Sequence, residues 1–242
     1  MSGHSKWNNI AKRKGANDAK KAAIFTKIGR KMAVAIKEGG SNNPDNNAKL
    51  RDCIAEAKAN NVPNDNIKRM LDKGNQSNVS YESNTYEGYG PSGIAVICET
   101  LTDNRNRTVA DVRHYFDKYG AGLGNAGCVS WQFEQKGVLI IERGDLDEDE
   151  TMMTVLDAGA DDFQADEDCF QIYTAPEDFS AVRDALTEAG FEFAQAEIQM
   201  VPQNTITLES QEDMAQLRKL LDSLEDNDDV QHVWHNWENE DD

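Results

Sequence analysis

The sequence predicts an α+β fold in which a helical N-terminal part precedes two α/β sandwiches, one of them inserted in the other. Three observations lead to this prediction. Apolar residues recur at helical spacing before residue 75, strand-like runs bounded by glycine and proline dominate after it, and residues 137–201 give the order βαββαβ. A chain of 242 residues is long enough for two or three such domains.

Three amphipathic helices are predicted in the N-terminal part. The first runs from Asp18 to Glu38 and ends at Gly39-Gly40. A second helix follows the loop "SNNPDNN" and stops at "NNVP", and a short third helix runs from about Asn64 to Gly74. The apolar residues predicted to face inward are Phe25, Ile28, Met32, Ile36, Leu50, Ile54 and Ala57.

Strand signals begin after the polar linker "NQSN". The runs "VSYESNTYEGYG" and "GIAVICETLT" predict a hairpin. The next run, "TVADVRHYFDKYG", predicts a helix with a capping box formed by Thr108 and Asp111 and a core stripe of Val109, Val112 and Phe116. A glycine-rich loop, "GAGLGNAG", then leads to a predicted strand, "CVSWQFE".

The order of elements in residues 137–201 is the split βαβ arrangement of ferredoxin-like domains. Beyond Pro202, a strand "NTITLE", a helix with Met214, Leu217 and Leu221 inward, and a strand "DVQHVWHNW" complete a second ferredoxin-like sheet with the elements of 93–134. We therefore expect a basic helical domain at 1–76, a discontinuous α+β domain at 77–135 and 203–238, an inserted ferredoxin-like domain at 136–202, and an acidic tail at 239–242.

Charge is distributed unevenly along the chain. Residues 1–73, here called the basic region, contain 16 Lys and Arg against 7 Asp and Glu, a net charge of +9, whereas residues 74–242 carry a net charge of −28. The overall charge of −19 conceals this division. A cationic region joined to an anionic remainder indicates a protein that binds a polyanion with one part only.

The cations are densest in residues 1–37, where ten Lys and Arg accompany one acid, Asp18. A solvated helix face normally mixes both signs, so this uncompensated repulsion favours neutralisation by phosphates. Trp7 in the same segment either stacks on a base or anchors the segment to the helices. The ten cations are Lys6, Lys12, Arg13, Lys14, Lys20, Lys21, Lys27, Arg30, Lys31 and Lys37.

A second candidate for phosphate binding is the run "LTDNRNRT". Arg105 and Arg107 are predicted in a strand-to-helix loop, where two guanidinium groups lie beside the free N–H groups of a helix start. The alternative is that these arginines form ion pairs with the acidic body, for instance with Glu99 or Asp103.

Other motifs give little support to catalysis or to metal binding. Two G-x-G-x-x-G spacings, beginning at Gly88 and Gly122, lack the strand-to-helix context of a dinucleotide site. The run "DLDEDE" departs from a calcium loop and fits a solvated helix start better. His232 and His235 lack a third metal ligand and fit an interface or a core.

No nucleophile, base and orienting group can be picked out among the four histidines, so we expect no enzymatic activity, no cofactor and no metal. An enzyme that acts on a phosphate-containing small molecule is the weakest alternative. The four cysteines contain no C-x-x-C pair and predict reduced, mostly buried thiols.

Several long segments, taken together, resemble a known family. They are "SGHSKWNNI", "DAKKAAIFTK", "NNVPNDNIKRMLDKG", "YEGYGPSGIAVICETLTDNRNRT" and "GCVSWQFEQKGV". In this order they are similar to the YebC family of regulatory proteins, which includes the mitochondrial translational activator of cytochrome c oxidase. The likeness runs nearly end to end and departs mainly in "DLDEDE" and in the acidic tail.

The resemblance implies a non-enzymatic, three-domain α+β protein. Members of the family have been labelled DNA-binding transcriptional regulators, and members are also implicated as translation factors that bind large-subunit ribosomal RNA and relieve stalls at proline runs. Carried onto this chain, the nucleic-acid contacts implied by the resemblance are His4, Lys6, Trp7, Lys12, Arg13, Lys14, Lys20, Lys21, Lys27, Arg30, Arg105 and Arg107.

The choice between RNA and DNA depends on how a basic segment reads its target. DNA reading needs side chains at base edges, and the first helix presents lysines instead of an Asn, Gln or Arg reading face. Structured RNA is recognised by shape, phosphates and stacking, which a basic arm supplies. We therefore expect an RNA-binding monomer in the cytoplasm, with the ribosomal large subunit as a possible partner and no membrane contact, and keep DNA as the alternative.

Overall fold

The computed structural model describes residues 18–76 and 79–240, and it describes side chains for residues 22–74 and 79–240. Seven α-helices and two antiparallel sheets lie within these residues, which confirms the predicted mixed α/β class. The helices are α1 (Asp18–Gly39), α2 (Ala48–Ala59), α3 (Asn64–Gln76), α4 (Arg105–Tyr119), α5 (Glu148–Asp157), α6 (Phe179–Glu188) and α7 (Gln211–Glu225). The strands are β1 (Glu82–Tyr89), β2 (Ala95–Thr102), β3 (Phe133–Glu142), β4 (Asp162–Ala165), β5 (Cys169–Thr174), β6 (Gln195–Pro202) and β7 (Val230–His235).

The described chain divides into two compact units. The first unit contains residues 18–133 and 202–240, and the second unit contains residues 134–201. The first unit therefore holds the three N-terminal helices together with one of the two sheets. The finer domain boundaries expected at residues 76, 135 and 202 stay a prediction.

The first three helices pack around an apolar core of their own. Ile28, Met32 and Ile36 of α1 are buried, as the helical spacing predicts, and Leu50 of α2 packs with them. Asn47 fixes the start of α2, because its side-chain oxygen accepts from Leu50 N at 3.1 Å while its amide donates to Ala35 O at 2.8 Å. The cap thus joins α2 to α1.

The sheet of the first unit has the order β1-β2-β7, with each neighbouring pair antiparallel. Helices α4 and α7 cover one face of it. The core between sheet and helices contains Val96 and Cys98 of β2, Phe116 of α4, and Leu217 and Leu224 of α7. Of the predicted stripes, Val112, Phe116, Met214, Leu217 and Leu221 lie in this core, whereas Val109 is half-buried outside it.

Two strands predicted for this sheet are wrong. In "CVSWQFE", residues Ser130–Gln132 form a short 3-10 turn, because the N–H groups of Val129 and Ser130 are taken by the carboxylate of Glu87 instead of a strand. In "NTITLE", one isolated bridge joins Ile206 to Trp237. The backbone of Leu208 nearby is hydrogen-bonded by the side chain of Asn239, which occupies groups that a strand needs.

The second unit has the strand order β4-β5-β3-β6, which places its first strand between its third and its fourth. With α5 and α6 in the connections, this is the predicted ferredoxin-like order. Its core contains Leu139, Phe170, Ile172 and Leu186. The acidic run "DLDEDE" leads into α5, where the Asp147 side chain accepts from Glu150 N at 3.0 Å. The run is therefore a capped helix start.

The four cysteines are free thiols, of which Cys98 and Cys169 are buried and Cys53 and Cys128 are half-buried. Among the helices described, none combines the length and the apolar character that crossing a bilayer requires.

Candidate nucleic-acid interface

The predicted contacts fall into three groups in the structure. His4, Lys6, Trp7, Lys12, Arg13 and Lys14 lie outside the described residues, in a segment that we call the N-terminal arm (residues 1–17). Lys20 and Lys21 belong to the first turns of α1, and their side chains are not described. Contacts are described for the side chains of Lys27, Arg30 and Arg107, and Arg105 is exposed at the start of α4.

Three cations of α1, Lys27, Arg30 and Lys31, contact other parts of the same unit. Lys27 Nζ donates to Glu225 O at 2.7 Å, and Arg30 Nη1 donates to Asp228 O at 2.7 Å. Lys31, the residue after Arg30, pairs with Glu56 of α2, with 2.8 Å between Lys31 Nζ and Glu56 Oε1. These side chains thus join α1 to its surroundings within the first unit.

Asp229 is the centre of this junction. Its carboxylate receives Arg30 Nη1 at 2.7 Å and Arg107 Nη2 at 2.8 Å, from α1 and α4 respectively. The buried hydroxyl of Thr108 donates to it as well, at 2.8 Å. Only 4% of the Asp229 side chain is exposed, so the two arginines compensate a charge that water hardly reaches.

The environment changes the pKa of this carboxyl group. Burial acts to raise the pKa of Asp229, but the hydrogen bonds from Arg107, Thr108 and Arg30 outweigh it and hold the pKa below its usual range. Conversely, the hydrogen bonds to Asp229 and Asp103 raise the pKa of Arg107. Asp229 is therefore charged at neutral pH.

The predicted position of Arg105 and Arg107 needs a correction. Helix α4 begins at Arg105, so both arginines belong to its first turn and not to a loop ahead of it. The capping box of Thr108 and Asp111 is also wrong, since Asn104 is the capping residue and accepts from Arg107 N at 3.2 Å. The hydroxyl of Thr108 is instead directed to Asp229, a partner distant in sequence.

Of the two alternatives for "NRNR", the contacts of Arg107 agree with the ion-pair alternative. Its guanidinium pairs with Asp103, which the sequence had suggested, and with Asp229, which it had not. Arg105 is exposed, and its charge acts on the hydroxyl of Tyr86, whose pKa is raised mainly by burial.

Other cations of the basic region face solvent. Within the described residues, four of them on α2 and α3 are exposed and make no ion pair or hydrogen bond through their side chains. They are Lys58, Lys68, Arg69 and Lys73. This set was not among the predicted contacts, although the sequence carries the signal, namely a run of cations on the exposed side of two short helices.

The glycine-rich loop after α4 is held by one carboxylate. Glu87 of β1 accepts from Gly127 N at 2.8 Å, Val129 N at 2.9 Å and Ser130 N at 2.8 Å. Burial acts to raise the pKa of Glu87, but these backbone hydrogen bonds outweigh it and lower the pKa. The loop is therefore an internally fixed segment, and neither G-x-G-x-x-G spacing connects a strand to a helix start.

His232, one of the two histidines considered as metal ligands, packs against its neighbours in the structure. His232 stacks on Trp234 with ring centroids 5.0 Å apart, and its Nε2 lies 2.9 Å from Lys31 Nζ. It is thus an interface histidine. Across the part of the chain that the structure describes, no group of three His, Cys, Asp or Glu residues could hold a metal ion.

Two models of one protein family match most of the chain. A family model described as the TACO1/YebC protein N-terminal domain matches residues 5–77. A second model, described as the TACO1/YebC second and third domain, matches residues 81–237.

Similar proteins agree with these matches. A "probable transcriptional regulatory protein" of Clostridium tetani is 57% identical, covering 95% of this chain and 94% of that protein. A protein with the same description from Acetivibrio thermocellus is 54% identical, over 95% and 96% of the two chains. The crystal structure of a conserved hypothetical protein from Aquifex aeolicus matches with a TM-score of 0.81, 39% identity and 91% coverage of each chain.

Proposed function

The chain belongs to the TACO1/YebC family, and from this premise we propose that it is a nucleic-acid-binding regulator of gene expression that catalyses no reaction. The favoured mechanism is binding to ribosomal RNA of the large subunit, with relief of translational stalling at proline runs. We assign it to the cytoplasm as a monomer.

The observation that carries the proposal is the separation of charge. The basic region carries +9 and the rest of the chain −28, so a polyanion is attracted to one end and repelled by the other. Several exposed cations of α2 and α3, Lys68 and Arg69 among them, have no carboxylate partner within the described residues. Phosphates would supply the missing counter-charge.

The contacts in the structure divide the predicted cations by role. Arg30 and Arg107 are committed to Asp229, so we assign them to holding α1 and α4 together. The N-terminal arm, with Lys12, Arg13 and Lys14, is assigned to phosphate contact, together with the exposed cations of α2 and α3. His4, Lys6 and Trp7 are assigned to the same surface, and Lys20, Lys21, Lys27 and Arg105 to its border.

RNA is favoured over DNA because of the kind of surface that these residues form. Lysines on short helices and an arm make phosphate contacts, which follow the shape of a folded RNA. A DNA reader needs a helix whose side chains reach base edges. The DNA alternative is kept because the relatives from Clostridium tetani and Acetivibrio thermocellus carry the description of transcriptional regulators.

The first experiment changes Lys12, Arg13 and Lys14 together to alanine in the full chain. We expect weaker binding to a structured fragment of large-subunit ribosomal RNA, because phosphate contacts are lost. The slope of log affinity against log salt should flatten by about 0.7–0.9 for each contact removed. Fluorescence anisotropy between about 50 and 200 mM salt measures both quantities.

The matched control removes three cations from the sheet-bearing part, by changing Arg113, Lys118 and Lys219 to alanine, and so alters the net charge equally. It should bind RNA more tightly than the arm variant and close to the affinity of the unchanged chain. If the two triple variants lose the same affinity, or if the arm variant binds like the unchanged chain, the arm is not a contact.

A second experiment separates the two mechanisms. The full chain is sedimented with ribosomes at two salt concentrations and, in parallel, mixed with promoter DNA in a gel-shift assay. Binding to ribosomes, with restored full-length product from a reporter that contains a proline run, would support the translational mechanism. Binding to promoter DNA alone would replace it with the transcriptional one.

A further inference from the structure

Helix α5 of the second unit presents an apolar surface to solvent. Met153 is 65% exposed, Leu156 is 47% exposed and Met152 is 36% exposed. Exposed apolar side chains are ordinary when scattered, but a cluster on one element marks an interaction surface more often than chance. We call these three residues the α5 ridge.

The three residues of the α5 ridge are neighbours on the helix. Met152 and Leu156 are four residues apart, and Met153 and Leu156 are three apart, so each pair lies on adjacent turns of one side. The opposite side is buried through Thr151 and Val155, which pack on the second unit's own core. The fold of the unit therefore does not use the α5 ridge.

Acidic side chains surround the ridge. Asp149 and Asp157 are exposed and lie one turn before and one turn after Met153. The second unit as a whole contains 19 Asp and Glu against 3 Lys and Arg, a net charge of −16. The surface is thus apolar at its centre and strongly anionic around it.

The few cations of the unit do not offset this charge near the ridge. Lys136 pairs with Glu134, Arg143 with Glu148, and Arg183 with Asp184, each within the unit. A net excess of carboxylates therefore remains for an outside partner.

The charge restricts what can cover the α5 ridge. Nucleic acid and anionic lipid are repelled by a surface of the same sign, and so is the same surface of a second copy of the chain. A cationic partner gains from the carboxylates, and its apolar side chains gain from the ridge. We propose that the α5 ridge is a docking surface for a cationic amphipathic segment of another protein.

The chemistry of the side chains suits such a partner. Methionine is flexible and polarisable, so Met152 and Met153 can adapt to apolar side chains of different shape. A lysine or arginine on either side of those apolar residues would reach Asp149 or Asp157. Binding should be of moderate affinity and sensitive to salt, because part of it depends on exposed charges.

The probe for the test is a fluorescent synthetic peptide of about 18 residues, with leucines at helical spacing and lysines elsewhere. Changing Met153 and Leu156 together to glutamine in the full chain should weaken its binding at least about tenfold. The matched control changes Ile198 to glutamine, which removes another exposed apolar residue of the same unit and should leave the affinity unchanged. Circular dichroism verifies that each variant is folded.

The contribution of charge is tested separately. Changing Asp149 and Asp157 to asparagine should weaken binding and flatten its salt dependence, whereas changing Glu188 and Glu192 to glutamine should do neither. A peptide of lysine without leucine should bind more weakly than the amphipathic one. The proposal is overturned if the two peptides bind equally, or if the Met153 and Leu156 variant binds the amphipathic peptide as tightly as the unchanged chain. Either result would mean that the peptide is attracted by charge alone.

Two other occupants are outcomes of the same measurements. If neutralising Lys12, Arg13 and Lys14 tightens peptide binding about tenfold or more, the chain's own arm competes for the ridge and the proposal of an outside partner is overturned. If the full chain self-associates in sedimentation equilibrium and the Met153 and Leu156 variant does not, a second copy is the occupant and the proposal is likewise wrong. Monomers with peptide affinity independent of the arm support it.

Discussion

At the scale of single residues, Asp229 contributes to stability through three hydrogen-bond partners. Its side chain is buried and receives Arg30 from α1, Arg107 from α4 and the hydroxyl of Thr108. Removing one member of a buried charged cluster leaves the others without their counter-charge. Among the described residues, Asp229 is therefore the one carboxylate that pairs with arginines from both α1 and α4.

Changing Asp229 to alanine should lower the free energy of unfolding by about 3 kcal/mol, since the loss of one partner from a buried ion pair costs about that much. Chemical denaturation followed by circular dichroism measures it. The control is Asp228 changed to alanine, because this neighbouring residue is exposed and contributes its backbone carbonyl to Arg30. Its substitution should change stability by no more than about 0.5 kcal/mol.

The pH dependence follows from the lowered pKa of Asp229. Because the folded-state pKa lies below the unfolded one, the stabilisation is complete above the usual carboxyl pKa, about 3.9, and is lost as pH falls through the folded value. The Asp229→Asn variant should thus lose less stability than the unchanged chain between neutral pH and about pH 3. If the free energy of unfolding falls equally with pH in both chains, this assignment is contradicted.

Single residues also mark the limit of what the sequence predicts. The run from Asp226 to Asp229 contains three aspartates, and nothing in its local pattern distinguishes the buried carboxylate from the exposed ones. The distinction is made by Arg30 and Arg107, which come from distant parts of the chain. Apolar residues at helical spacing, such as Ile28 and Met32, were predicted as buried because their pattern is local.

At the scale of elements, Glu87 decides the conformation of the loop that follows α4. The backbone N–H groups of Gly127, Val129 and Ser130 donate to its carboxylate. The segment around Val129 therefore forms a turn instead of the predicted strand. The β propensity of "CVSWQF" was real but was overridden by a contact more than 40 residues away in sequence.

Changing Glu87 to glutamine should destabilise the chain by about 1–3 kcal/mol. The reason is that an amide NH2 group, which donates, replaces a carboxylate oxygen that accepts from backbone N–H groups. Hydrogen exchange should accelerate at Gly127, Val129 and Ser130. Because the pKa of Glu87 is lowered on folding, this contribution is present above the usual carboxyl pKa and disappears as pH falls. Glu82→Gln, at an exposed position of the same strand, should leave exchange in the loop as it is.

The start of α4 illustrates why helix boundaries were harder to predict than helices. The sequence pattern predicted Thr108 as the cap, with Asp111 completing a capping box. The structure uses Asn104, because Thr108 is buried beside Asp229. The existence of the helix and its buried Val112 and Phe116 followed from local spacing alone.

At the scale of the whole molecule, the two units have separate cores. Leu186 is buried in the core of the second unit, whereas Leu217 is buried in that of the first. The ferredoxin-like order of the second unit was predicted in full, because its six elements are consecutive in sequence. The sheet of the first unit joins elements from both ends of the chain, and two of its predicted strands are missing from the described sheet.

Changing Leu186 to alanine should destabilise the second unit by about 2.7–5 kcal/mol through loss of burial and the cavity that remains. Hydrogen exchange followed by mass spectrometry should show faster exchange in β3 and β5. Protection in β2 and α7 should stay as it is, since those elements pack on another core. Equal acceleration in both units would mean that they unfold as one.

The junction at Asp229 also constrains the order in which the protein can mature. Synthesis proceeds from the amino end, and Arg30 precedes Asp229 by 199 positions. Until nearly all of the polypeptide has been translated, the newborn chain therefore lacks the carboxylate that pairs with Arg30, and α1 reaches its final attachment among the last events of biogenesis.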